Sequence, residues 1–194
     1  MATLYENFTT GDADGTVIYG AVWDAQTITV GAANHTITSV KIKAYRKGSP
    51  GTVTAHIRVA TSGSPNKPTG GDLTTGTIDG NSFTDNVAGA WYEIPVTEIT
   101  LTALGTYAIV ISATGGDVNN CIYWRYYNGD GYADGNWCQS TNNDVSWTGY
   151  TAYDALFEVW GAPPITSHKI YVRYVHLVKM ICLIIGTFSS IAKW

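Results

Sequence analysis

The chain is expected to be all-β, an antiparallel β-sandwich or jelly roll followed by a hydrophobic C-terminal tail. Three features carry that expectation. Short runs of alternating apolar and polar residues recur between clusters of Gly, Pro, Asn and Asp, at the period of two that a half-buried strand needs. Only 13% of residues are charged, against about 25% in a typical globular chain, and Gly, Thr, Ser and Asn stand beside Val, Ile, Tyr and Trp instead. Residues 1–162 hold no convincing helical pattern, and no fixed-period repeat points to a solenoid or propeller.

Taken in order, residues 4–10 form a short opening strand, and GDADG at 11–15 forms a turn. Residues 16–22 and 23–30 (WDAQTITV) alternate. Residues 36–46 (TITSVKIKAYR) offer Ile37, Val40, Ile42 and Ala44 to a core. After the KGSPG turn, TVTAHIRVA at 52–60 offers Val53, Ala55, Ile57 and Val59, so the two strands are expected to pair as a hairpin. Residues 61–75 are too rich in Pro and Gly for a strand interior. A short strand fits within 76–84, and 91–96 is a strand that Pro95 places near an edge or a strand end. TYAIVISA at 106–113 is nearly continuous apolar sequence of the kind buried in a sandwich core. Residues 122–127 and 155–160 complete a set of about nine to eleven strands.

Charge divides the chain at Gly161-Ala162-Pro163-Pro164. Residues 1–162 carry all 15 acids and 7 of the 11 bases, a net of −8, while 163–194 carry four bases and no acid. This predicts a sandwich domain over 1–162 and a basic hydrophobic tail over 163–194. The charge-free run 180–192 is shorter than the ~20 residues of a membrane-spanning helix. Membrane contact through 170–194, docking as an assembly element and an unstructured end all remain open for the tail. Nucleic acid is excluded as a partner, because the domain is acidic and its longest basic cluster is Arg46-Lys47. The first fifteen residues have no basic or apolar segment of the signal-peptide kind.

Several segments, namely YGAVWDAQTITV, HTITSVKIKAYRKGSPGTVTAHIRVATSGSPNKPTGGDL, LGTYAIVISA, YWRYYNGDGYADGNW and YDALFEVWG, together resemble the choice-of-anchor R type of β-sandwich domain. The resemblance spans about residues 4–161. It implies a sandwich in a prokaryotic surface protein or a phage-like structural protein, with display at the cell surface, outside the cell or on a virion. It brings no catalytic residue with it.

The segment 122–160 holds ten of the twenty Trp and Tyr residues, set among Gly, Asn, Asp, Ser and Thr. Rings interleaved with hydrogen-bonding groups suit a sugar-binding face, where rigid apolar area supplies affinity and polar groups fix orientation. The candidate ligand residues are Trp124, Tyr126, Tyr127, Tyr132, Trp137 and Trp147, with Asn128, Asp130 and Asn136 as hydroxyl partners. The expected partner is a glycan or cell-surface polymer, bound by a non-catalytic adhesion module. The alternative is a self-assembling subunit of a virion, filament or surface layer.

Catalytic signatures are missing: there is no GxSxG or HExxH, and His56 sits in a strand position that alternates outward. The chain is therefore read as a non-enzyme. Asn128, Asp130 and Asp134 in NGDGYADGN are hard oxygen donors that could serve calcium, with Asp12 and Asp14 a second set. Cys121 and Cys138 flank the aromatic segment and could form a disulfide if the residues between them make a hairpin.

Overall fold

The computed structural model describes residues 1–163, so the tail and its possible membrane contact lie outside the described residues. Thirteen strands and one short 3-10 turn are present: β1 (Thr3–Phe8), β2 (Asp14–Ile18), β3 (Trp23–Thr29), β4 (His35–Lys47), β5 (Thr52–Ala60), β6 (Pro68–Asp79), β7 (Ala90–Leu101), β8 (Thr106–Ser112), β9 (Cys121–Asn128), β10 (Trp137–Ser140), β11 (Thr148–Tyr150), β12 (Tyr153–Ala155) and β13 (Phe157–Gly161). They form two antiparallel sheets. The first runs β1-β13-β4-β9-β12, with β2 added on β9 and β7 on β4; the second runs β11-β10-β3-β8-β5-β6. Among the described residues no helix is long and apolar enough to cross a membrane.

One core joins the two sheets. Ile37, Val40, Ile42, Ala44, Ile94, Ile122, Trp124 and Phe157 from the first meet Ile28, Val53, Ala55, Ile57, Ile109 and Ile111 from the second. Ile37 and Val40 have opposite parity, yet both are fully buried, because a register shift gives β4 one extra residue opposite β13, between Trp160 and Gly161. Pro95 sits at a second shift, between β4 and β7, and among the described residues β7 pairs with β4 alone, which suits a residue lacking an N–H donor. The near-continuous apolar β8 is covered on both faces. Ile109 and Ile111 face the main core, while Ala108 and Val110 join Ala25, Ala60 and Cys138 in a smaller cluster on the other side of the second sheet.

Three expectations are corrected. β4 and β5 do not form a hairpin: β4 pairs with β7, β9 and β13, and β5 pairs with β6 and β8. Their apolar sets face the same core from opposite sheets, so the KGSPG segment is a corner that carries the chain across. Gly48 makes that corner possible, because φ is +63° there and a Cβ would lie 2.2 Å from the Asn119 carbonyl oxygen. Residues 68–75, expected to be loop, belong to β6, an edge strand that tolerates Pro68 at its start. Val59 keeps the parity of Val53, Ala55 and Ile57 in an unbroken register with β8, yet it is exposed near the end of β5.

The two lateral margins differ. On one, β6 passes close against β7: Thr74 Oγ1 donates to the Thr97 carbonyl at 2.7 Å, and a Cβ on Gly76 would meet the Pro95 oxygen at 1.8 Å. On the other, β2 of the first sheet faces β10 and β11 of the second across a groove.

Candidate functional site

That groove encloses about 370 Å³ and is lined by Gly15, Thr16, Val17, Tyr126, Trp137, Tyr150 and Tyr153. No lining residue is charged. The four rings come from β9, β10, β11 and β12, and strand register brings them together: Trp137 is paired with Tyr150, and Tyr126 with Ala155 two residues from Tyr153. Trp137 stacks on Tyr150 at 4.7 Å between centroids and on Tyr126 at 6.1 Å, while Tyr153 meets all three rings edge-on. Such edge and stacked pairs are worth about 0.5–1.5 kcal/mol each beyond the area they bury. The rings thus bridge the two sheets and leave their rims along an uncharged trough. The Trp137 indole nitrogen is buried without a hydrogen-bond partner among the described residues.

Of the six residues expected to form one ligand face, Tyr126 and Trp137 line this groove and four do not. Trp124 is fully buried, and its indole N–H donates to the Leu156 carbonyl at 2.9 Å, so it is a core residue. Tyr127 and Tyr132 pack around Phe8, and Tyr132 also meets Phe157 edge-on at 5.1 Å. Burial raises the Tyr132 phenol above its ordinary pKa, as befits a packed ring. Trp147 lies on the far face of the second sheet, against the small cluster that includes Val110 and Cys138. Asn136 is likewise structural: it is 3% exposed and its amide bonds the backbone of Asn66 and Trp137. Tyr150, Tyr153 and Thr16 were missed by the sequence argument. The signal was the TGYTAYDA run, whose two tyrosines stand at the entry and exit of a tight turn facing Trp137.

Beneath the groove the interior between the sheets is polar. Gln26 donates to Asp154 Oδ1 at 3.1 Å and accepts from the Ala155 N–H at 2.7 Å. Asp154 in turn accepts from the N–H groups of Gly131 and Tyr132, which fastens the glycine-rich turn. Asp24 is fully buried opposite Gln139, which donates to it at 3.2 Å. Desolvation pushes its carboxyl up to about 8, with Thr16 and Gln139 partly offsetting the rise.

The structure also places the residues expected for calcium and for a disulfide. Asp130 and Asp134 line a polar pocket of about 230 Å³, but Asn128 ends β9 outside that lining. Among the described residues no three His, Cys, Asp or Glu side chains converge as a metal site would. Asp12 is occupied by Lys43 at 2.6 Å and Arg125 at 2.6 Å. Cys121 and Cys138 are buried free thiols in different sheets, so they do not bond to each other. Burial raises the Cys138 thiol to about 12, which leaves it inert at neutral pH.

The far face of the second sheet holds a separate polar cluster. His56 points away from the main core, as its alternation suggested, yet it is only 9% exposed. Its ring stacks on Trp23 at 5.2 Å, and Asp72 and Ser112 flank its two nitrogens. Arg58 donates to Asp72 at 2.6 Å and pairs with Asp144, which accepts from the Trp147 indole at 2.8 Å. Compared with known proteins, the chain matches no family model and no curated sequence.

Proposed function

We propose that this chain is a glycan-binding module whose groove binds without catalysis, a β-sandwich of the jelly-roll kind displayed at a cell surface, outside the cell or on a virion. The observation that carries the reading is the uncharged groove walled by Tyr126, Trp137, Tyr150 and Tyr153. The CH face of a pyranose matches a phenol or indole ring, and the tyrosine hydroxyls supply hydrogen-bonding groups at the rim. An uncharged wall favours a neutral sugar over an acidic one. Two or three such contacts support an affinity of millimolar order, about 4 kcal/mol, which display in many copies would multiply. The resemblance to choice-of-anchor R domains agrees with external display.

The test is affinity electrophoresis in neutral polysaccharides with the wild type, Tyr126→Ala and Tyr150→Ala. Retardation of the wild type that both variants lose supports the reading. A wild type that no polysaccharide retards, or variants retarded equally, overturns it.

A second reading, assembly into a virion, filament or surface layer, is favoured by the strand edges beside the groove. Among the described residues β2 pairs with β9 alone and β11 with β10 alone, and edges of this kind accept strands from neighbouring chains. Size-exclusion chromatography and electron microscopy of the full chain decide it. Ordered oligomers support assembly, and a monodisperse monomer across concentrations rejects it.

A further inference from the structure

Ser112, His56 and Asp72 form a directional chain of hydrogen bonds on the far face of the second sheet. Asp72 Oδ2 lies 3.0 Å from His56 Nδ1, and His56 Nε2 lies 3.0 Å from Ser112 Oγ. In the tautomer with the proton on Nδ1, Asp72 accepts that proton and the Nε2 lone pair faces the Ser112 hydroxyl. His56 is the one side-chain or backbone partner of that hydroxyl among the described residues. Asp72 is itself held by Arg58 at 2.6 Å. Desolvation acts to raise its carboxyl pKa, but the bonds and charges of His56 and Arg58 outweigh this and bring it below the ordinary value, so it stays ionised. Three strand-borne residues thereby take up the nucleophile, base and orienting-acid order that defines an activated serine irrespective of fold or chain order.

We propose that Ser112 is an acylatable nucleophile for small activated esters, with His56 as its base and Asp72 as the positioning residue for His56. The Ser112 Oγ–H proton passes to His56 Nε2 as Oγ bonds the ester carbonyl carbon. The carbonyl–oxygen bond to the leaving alkoxide or phenoxide then breaks, and that oxygen takes the proton from His56. Water, deprotonated by the same nitrogen, releases the acid and restores Ser112. No oxidant or cofactor enters the balance. Access sets the substrate class: Ser112 is 2% exposed and the Trp23 indole lies nearly parallel over His56, at 17° between planes. The substrate class proposed is therefore a small acyl ester, whose approach requires Trp23 to move from His56. General-base assistance by itself is worth roughly 10²–10⁴-fold, so turnover is slow. The inference rests on nothing in the groove.

The experiment exposes the full chain to p-nitrophenyl acetate, follows p-nitrophenolate release and maps the acetyl group by peptide mass spectrometry. The expected result is acetyl on Ser112, with release at least tenfold above Ser112→Ala and His56→Ala, and faster acetylation in Trp23→Ala. Trp23→Phe replaces that variant if it fails to fold by circular dichroism. The positioning role of Asp72 is read by proton NMR: a downfield imidazole N–H signal persists in Ser112→Ala and disappears in Asp72→Ala. Acetyl absent from Ser112 in both the wild type and the folded Trp23 variant overturns the proposal. So does release unchanged in Ser112→Ala.

Discussion

The groove and the far face of the second sheet each gather aromatic rings among polar groups, but they use them differently. In the groove, rings contact rings: Trp137 stacks on Tyr126 and Tyr150, and no charged residue lines the wall. On the far face, rings contact charges: Trp23 lies against His56 and 6.0 Å from the Arg58 carbon, and Trp147 donates to Asp144. The first arrangement leaves a neutral surface with hydroxyl rims. The second immobilises an ionic network and shields it from water, which strengthens each of its bonds. A tryptophan flanked by polar sequence is therefore not one kind of site.

Several substitutions would break or sharpen this contrast. Trp124→Ala, in neither region, sets the scale: removing a fully buried indole is expected to cost about 4–5 kcal/mol, read by denaturant unfolding. Trp137→Ala should cost about 3 kcal/mol and abolish polysaccharide retardation, because the groove loses its central ring. If retardation survives, the rings of the groove serve packing alone. Arg58→Ala should also cost about 3 kcal/mol, since it leaves Asp72 and Asp144 without their shared cation, and it should leave retardation intact.

Asp24→Asn tests the polar floor through pH. The Asp24 carboxyl is raised from 3.8 to about 8, so the stability of the protonated form is full below about pH 4 and is lost as pH rises through about 8. Asp154 is shifted the same way by burial, whereas Asp72 is shifted downward and weakens the fold only as pH falls. The melting temperature of the wild type should thus decline from pH 5 to pH 9, and Asp24→Asn should flatten the decline. A wild-type curve flat over that range contradicts the assignment. The smallest effect is expected at Lys41→Ala. Its contacts with Glu93, Glu158 and the Trp160 ring are partly solvated, so a loss of at most about 1 kcal/mol should appear in unfolding curves.

The strands were legible where one face alone is buried, because alternation then marks the sheet directly. β4 and β9 lie within a few residues of their expected bounds for that reason, β5 alternates as well, and β8, covered on both faces, was marked instead by its continuous apolar run. Pairing was not legible. KGSPG between two alternating runs has the same local chemistry whether it closes a hairpin or turns a corner, and only the shared core decides between them. β6 was hidden because an edge strand accepts the Pro and Gly that would break a central one. In the candidate site, Tyr126 and Trp137 were readable as rings in polar sequence. The neighbouring Trp124 has the same local appearance and shares the parity of Tyr126 on β9, so position along the strand, which no local pattern reports, separates core from groove. The approach of Ser112 to His56 and Asp72 joins β8, β5 and the Gly-Gly bulge of β6, a coincidence of three strands that no local window contains.

The pairing of β1 with β13 has a mechanical consequence. Thr3 stands opposite Gly161 and Phe8 opposite Phe157, so the backbone enters and leaves the two sheets at adjacent points. Tension applied between residues 3 and 161 would peel these strands apart one rung at a time, whereas a load borne by the groove and residue 161 would spread over the ladder joining β13 to β4. The same folded unit would thus yield sooner to tension between residues 3 and 161 than to tension between its groove and residue 161.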